Sequence, residues 1–180
     1  MKPAGDRARR KVTQLRLVGT TDAYGEIEIW VGSGVATVTG VGVPGVEIRH
    51  PGKFESDLLP IDEQTVLAVD GVPAVLMPGS GRSKTDRAAR IELNERKYTL
   101  IATERSTEEL RGADGTTLVR VYRPFGLKPS TVSTSTNADA TDLAVGLALL
   151  ALDPTKLTTT RAALKGVFNK VFNSGTGEPG

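Results

Sequence analysis

The feature that most constrains this chain is Asp139 to Leu152, DATDLAVGLALLAL, whose last ten residues are apolar without a break. Leu and Ala dominate the run and β-branched residues are few, which favours helix. Asp139 is a suitable N-cap. Asp142, three residues on, imitates a capping box and puts negative charge at the helix start. Pro154 stops the segment, because its ring cannot continue a helix. A helix that is apolar all round must be covered all round. This one is too short for a bilayer, which needs about 20 residues. A short helix enclosed by the rest of the protein is therefore predicted.

What could enclose it reads almost wholly as β. Residues 11–18 alternate loosely, and Glu26 to Val31 (EIEIWV) alternates cleanly, with Ile27, Ile29 and Val31 on one face. Trp30, on the other face with Glu26 and Glu28, is expected to be a partly covered surface ring. Strands are also expected over Val35–Val43 and Val46–His50. Asp70-Gly71 between Thr65–Val69 and Val72–Met77 is a strong hairpin signal, since both central positions suit a type I′ turn. Further hairpins are expected across Asn94-Glu95-Arg96 and across Asp114-Gly115, the latter joining Leu110–Ala113 to Thr117–Arg123. Pro124 to Asn137 reads as a Ser/Thr-rich connector into the apolar helix. Beyond Pro154, Leu157, Leu164, Phe168, Val171 and Phe172 recur at helical spacing, which predicts a second, amphipathic helix over 155–172.

The organisation that follows is a disordered basic arm over 1–10, one β-rich domain over 11–173 and a flexible tail over 174–180. The expected fold is mainly β. It is an antiparallel barrel or strongly curved sheet enclosing the apolar helix, with the amphipathic helix outside. An open sheet or sandwich with the apolar helix across one face is the competing arrangement.

Several chemistries find no support in the residues. The chain has no cysteine, which removes disulfides and thiolate ligands and suits a cytoplasmic setting. Gly40-Val41-Gly42-Val43-Pro44-Gly45 matches a dinucleotide phosphate loop, but a strand-like run follows where that loop needs a helix. Gly79-Ser80-Gly81-Arg82-Ser83-Lys84-Thr85 imitates a P-loop, but Ser83 stands where glycine is required and β-like sequence follows. His50 is the only histidine, and a structural or solvated role is expected for it. Carboxylates cluster at Asp57, Asp62 and Glu63 and again at Glu104, Glu108 and Glu109, but linear clustering does not establish convergence. No catalytic set, metal site or cofactor is expected. Aromatic residues make up 4% of the chain, which argues against a stacking platform for nucleic acid. Neither a signal peptide nor a transmembrane segment is evident.

The strongest candidate surface is the amphipathic helix. Arg161, Lys165 and Lys170 beside Phe168 and Phe172, with no acidic neighbour, form what an interfacial helix needs to lie on anionic lipid. The same stripe is also what a helix needs to pack on the outside of the β domain, the commoner fate of such a stripe. A non-enzymatic binding module, peripheral to an anionic membrane surface, is one expected function. A scaffold that binds a protein partner through this helix or through exposed strands is the other.

The hairpin ELRGADGTTLVRVYR, Glu109 to Arg123, followed by the helix ATDLAVGLALLAL, Ala140 to Leu152, resembles the C-terminal fold of tubby-like proteins, phospholipid scramblases and LURP-one-related proteins. That resemblance implies a β-barrel wrapped round a central hydrophobic helix, and association with membranes or phosphoinositides. It transfers no binding residue. The chain also departs from the pattern by continuing into a second predicted helix.

Overall fold

A computed structural model of the chain describes residues 14–52, 58–104, 106–124 and 129–158. Eleven strands form one antiparallel sheet in which each strand pairs with the next in sequence. They are β1 (Leu15–Thr21), β2 (Gly25–Gly32), β3 (Val35–Gly40), β4 (Val46–Arg49), β5 (Val66–Val69), β6 (Val72–Met77), β7 (Ala89–Leu93), β8 (Arg96–Glu104), β9 (Thr107–Arg111), β10 (Thr117–Tyr122) and β11 (Thr131–Thr134). The apolar run follows as α1 (Ala140–Ala148), tightened into a 3₁₀ turn over Leu149–Ala151.

The turns explain the meander. Asp70 and Gly71 both take positive φ (48° and 77°), as a type I′ hairpin demands, and so do Ser33 and Gly34 (53° and 79°). Asn94 (φ 52°) turns β7 into β8, and Gly115 (φ 83°) helps turn β9 into β10. Connections this short leave no room for crossovers, so sequence order becomes spatial order.

The helix dictates the curvature. It packs against β3 and β4 and also against β9 and β10. In a flat sheet β3 and β10 would lie seven strand spacings apart, roughly 34 Å at about 4.8 Å each, whereas a helix is only about 10 Å across. The sheet therefore curls so that both halves reach the same helix. Asp142 to Ala148 are all buried, as are the 3₁₀ residues Leu149 to Ala151. Leu147 and Leu150, the most exposed of the helical leucines, are each only 8% accessible. Inward strand residues such as Ile29, Val38, Ile48, Ile91, Leu100 and Val121 meet them. Each such side chain contributes about 1.5–3 kcal/mol by leaving water.

Three expectations need correction. Of the two forms expected, barrel or strongly curved sheet, the closed barrel is not the one seen: among the described residues β1 and β11 each have a single neighbour, so the sheet stays open. β11 is a four-residue strand of Thr, Val and Ser that offers little apolar surface to a further neighbour. That strand lies inside the stretch read as a plain connector. Its register against β10, with Val132 opposite Val121, makes it a strand in spite of its polar composition. Finally, Pro154–Lys156 is a 3₁₀ turn rather than the opening of an α-helix. Asp153 caps it and Leu157 is buried behind it, while the rest of the predicted 155–172 helix lies outside the described residues.

Helix and sheet meet closely at Gly146. A Cβ there would stand 2.5 Å from Val119 Cγ1 and 2.7 Å from Val119 Cβ. Val119 is fully buried and β-branched, so it cannot swing aside. Gly146→Ala should therefore destabilise the fold by about 1–3 kcal/mol in urea unfolding, although alanine is the better helix former. Adding Val119→Ala should recover part of that loss, so the double substitution should cost less than the two single costs combined.

Candidate functional site

Two charged clusters fasten the helix, and a third shapes the outer surface. At the helix N-terminus, Asp139 Oδ1 accepts from the backbone N–H of Thr141 (2.9 Å) and Asp142 (3.0 Å), and Asp142 Oδ2 accepts from the Asp139 N–H (3.0 Å), which completes a capping box. Arg96, the first residue of β8, donates to Asp139 Oδ2 (2.7 Å) and Asp142 Oδ1 (3.0 Å). Tyr98 Oη donates to the same Asp142 oxygen at 2.8 Å. Burial pushes the Tyr98 phenol up to about 12, which keeps it a donor. The hydrogen bond from Arg96 holds the Asp139 carboxyl below the usual carboxylate range.

At the other end, Arg123 follows β10 directly. Its guanidinium donates to the carbonyls of Leu149, Leu150 (3.5 Å) and Leu152 (3.3 Å) at the helix end, the first of which also accepts the Leu152 N–H (3.0 Å). The same group donates to Glu108 Oε2 at 2.8 Å. Glu108 is 3% accessible, and burial raises its pKa above the usual range despite Arg123.

Glu109, the next residue, faces the opposite way. On the outer face its Oε2 accepts from Arg111 (2.7 Å) and Thr117 (3.0 Å), and its Oε1 accepts from Arg120 (3.0 Å). Burial alone would raise this carboxyl, but the bonds from Arg111, Arg120 and Thr117 outweigh it and hold the pKa below the usual range. The neighbouring glutamates thus never converge, because successive strand residues point to opposite faces.

The outer face of the second half of the sheet carries Arg90, Lys97, Arg111 and Arg120 against Glu92, Glu104 and Glu109, with an apolar border. Met77, Arg90, Thr99 and Arg111 stand in one row across β6 to β9. Ile101, Glu109, Arg120 and Ser133 form the row beside it. Val66 and Val75 are exposed on β5 and β6, and Tyr122 is exposed on β10. Arg82 and Lys84, exposed on the β6–β7 turn, extend the positive charge. The first half differs. There Glu26, Glu28 and Glu47 outnumber Arg16 and Arg49, which are tied to Glu28 and Glu47 at 2.6 Å each. Trp30 is half-buried on that face and overhangs Gly32, as expected of a partly covered ring.

Inside, nothing is hollow enough for a ligand among the described residues. The void bounded by Ile48, Leu67, Ile91, Val145 and Leu149 measures about 10 Å³, barely the room of one water molecule. His50 is buried: its Nε2 meets Asp62 Oδ1 at 3.1 Å, and its Nδ1 accepts the Gly52 N–H at 3.0 Å. Both ring nitrogens are thus engaged with structural partners, which is the structural role expected. No group of three or more potential metal-ligating side chains occurs among the described residues. The GVGVPG stretch is the β3–β4 loop, with no helix after it. Arg161, Lys165, Phe168, Lys170 and Phe172 lie outside the described residues, as does Asp57. The basic rows of β7 to β10 were missed in the sequence because their members are scattered over 30 residues between Arg90 and Arg120, and only strand register unites them.

No helix among the described residues is long and apolar enough to cross a membrane. Comparison with known proteins gives no matching family model, no matching curated protein and no matching solved structure.

The Arg123–Glu108 contact generates a test with a defined sign. Arg123→Ala leaves Glu108 buried without its partner and should cost about 3–5 kcal/mol in denaturant unfolding. Burial raises the folded pKa of Glu108 above that of an ordinary glutamate. The folded state therefore holds this proton more tightly than the unfolded state does. The contribution of Glu108 to stability should fall as pH rises from the unfolded value through the raised folded one. Glu108→Gln should remove that fall, so its stability relative to the parent chain should improve between pH values below and above this window, read by urea melts.

Proposed function

We propose that this protein is a non-enzymatic binding module of tubby-like type, in which the curved sheet serves as a wrap around the helix and the outer face of β5 to β10 attaches to anionic membrane surfaces. One observation carries this reading: exposed Val66, Val75, Met77 and Tyr122 lie on the same outer face as Arg90, Arg111 and Arg120. Apolar side chains that enter the headgroup boundary, next to cations that attract acidic lipid, are what a peripheral surface requires. The filled interior supports the same direction, since any partner must be met from outside. Arg161, Lys165 and Lys170 with Phe168 and Phe172 would add a second contact of like chemistry.

A scaffold role is the second reading, and the outer edges of β1 and β11, which pair with no other strand among the described residues, favour it, because a free edge can accept a partner strand. It predicts concentration-dependent association of the chain in sedimentation velocity without lipid. The membrane reading predicts a monomer that sediments with vesicles of phosphatidylcholine and phosphatidylserine but not with phosphatidylcholine alone, and that is released by salt. Arg82→Gln with Arg90→Gln should weaken that binding by about 2 kcal/mol, roughly thirtyfold, at about 1 kcal/mol per basic residue. Equal sedimentation with neutral vesicles, or indifference to salt, would end the membrane reading.

A further inference from the structure

The turn from β6 to β7, PGSGRSKTDR over Pro78 to Arg87, is the P-loop imitation of the sequence, and the surface described above leaves its inner side unexplained. The chain there folds closely on itself. A Cβ on Gly79 would lie 2.4 Å from the Ala88 carbonyl oxygen, and one on Gly81 would lie 2.4 Å from Asp86 Cβ. The N–H groups of Arg87 and Ala88 donate to the carbonyls of Ser83 and Thr85, each at 3.2 Å. Asp86, the only carboxylate in the turn, accepts from the Ser83 N–H at 3.2 Å, while its own N–H donates to Ser83 Oγ at 3.0 Å. Lys84 Nζ is turned to the Thr103 carbonyl.

Arg87 stands apart. Its Nη1 donates to the Arg82 carbonyl and, at 3.5 Å, to that of Gly81, which pins the guanidinium to the turn. Its Nε and Nη2 are buried and have no hydrogen-bond partner among the described residues. These two nitrogens form one edge of the guanidinium fork, the edge that takes two oxygens of a carboxylate or phosphate side by side. Buried donors of a charged group are seldom left unmatched.

We propose that the Nε–Nη2 edge of Arg87, framed by the turn from Gly79 to Asp86, is a binding site for a small oxyanion with two adjacent oxygens, of the phosphoryl or carboxylate class. Arg82 and Lys84 on the same turn add positive potential; Asp86, the one carboxylate of the turn, accepts from Ser83 and lies within electrostatic reach of Arg87 without bonding its Nε or Nη2. Both nitrogens are shielded from solvent, so the anion enters when the turn lifts and is held when it closes. This is not the P-loop mode: the anchor is a side-chain fork, with no helix N-terminus behind it.

The test follows the Arg87 Nε–H resonance of the ¹⁵N-labelled full chain during titration with inorganic phosphate, sulfate or acetate at constant ionic strength, against chloride. A saturable shift of this resonance is expected, with a rise in Tm that tracks saturation. A response to phosphate and sulfate alone supports a phosphoryl-type ligand, and a response to acetate alone supports a carboxylate. Arg87→Lys keeps the charge but loses the fork, and its anion-dependent rise in Tm should need concentrations at least about tenfold higher. No saturable shift with any of the three anions, or an equal one with chloride, overturns the site, as does an Arg87→Lys chain that responds like the parent. If that variant does not fold, the parent titration still decides, with the exposed Arg82 Nε–H as internal comparison: shifts of equal size at both arginines overturn the site.

Discussion

A helix with no polar face can live inside a β-sheet only if its two ends are satisfied, and the rest of this structure depends on how that is done. Along its length the helix bonds to itself, but its first N–H and last C=O groups cannot. Asp139 and Asp142 serve the first end and Arg123 the second. These groups are charged, and charge out of water is costly unless paired. Asp142 is accordingly met by Arg96 and Tyr98, and Glu108 by Arg123. Negative groups at the start and a cation at the finish also match the direction of the helix dipole. All of these partners come from β8, β9 and the residue after β10. The side-chain bonds to the helix thus come from the second half of the sheet, while the first half packs β3 and β4 against it and adds two backbone bonds at Leu59, which donates to the Ala151 carbonyl (2.9 Å) and accepts the Asp153 N–H (2.7 Å). Both halves hold the helix, one by charged side chains and the other by packing and backbone bonds.

That division explains the choice of small residues. To approach a helix from two sides, the sheet must give up volume at the contacts. Ala36, Ala74, Ala89 and Ala102 occupy buried strand positions, and Ala144, Gly146, Ala148 and Ala151 answer them from the helix. Among the described residues Tyr98 is the one buried aromatic. Rings are too large for the gap, and Tyr98 enters only where its hydroxyl can reach Asp142. Curvature and the small buried residues at the contacts are one fact seen from two sides.

The elements legible in the sequence are those governed by local rules. The burial of Leu143 to Leu152, the Asp70-Gly71 turn and the alternation of Glu26 to Val31 each follow from a few adjacent residues. β11 was not legible, because Thr131 to Thr134 becomes a strand only through pairing with β10. The openness of the sheet was not legible either, since closure depends on whether the first and last strands meet, and no local pattern encodes that. The roles of Arg96 and Arg123 were hidden for the same reason. Each is one arginine among many until the fold carries it 43 or more residues along the chain to Asp139, or 26 to the Leu149 carbonyl. Among candidate sites, the sequence favoured a contiguous basic and aromatic stripe, because contiguity is what a linear reading can see. The rows on β7 to β10 exist only in two dimensions.

β9 shows how closely the inside and outside of this protein are linked. Glu108 and Glu109 are chemically the same residue, one bond apart in the chain, and both are buried. The pleat sends Glu108 inward, where burial raises its pKa and it steadies the arginine that closes the helix. It sends Glu109 outward, where hydrogen bonds from Arg111, Arg120 and Thr117 lower its pKa. One carboxylate cannot neutralise both arginines, so the surface around Glu109 stays positive. A one-residue slip in the β9 register would turn Glu109 and Arg111 inward and Glu108 and Leu110 outward, burying a cation against the helix and exposing a core leucine. The same register that fixes the helix end therefore fixes the sign of the surface, and neither can change without the other.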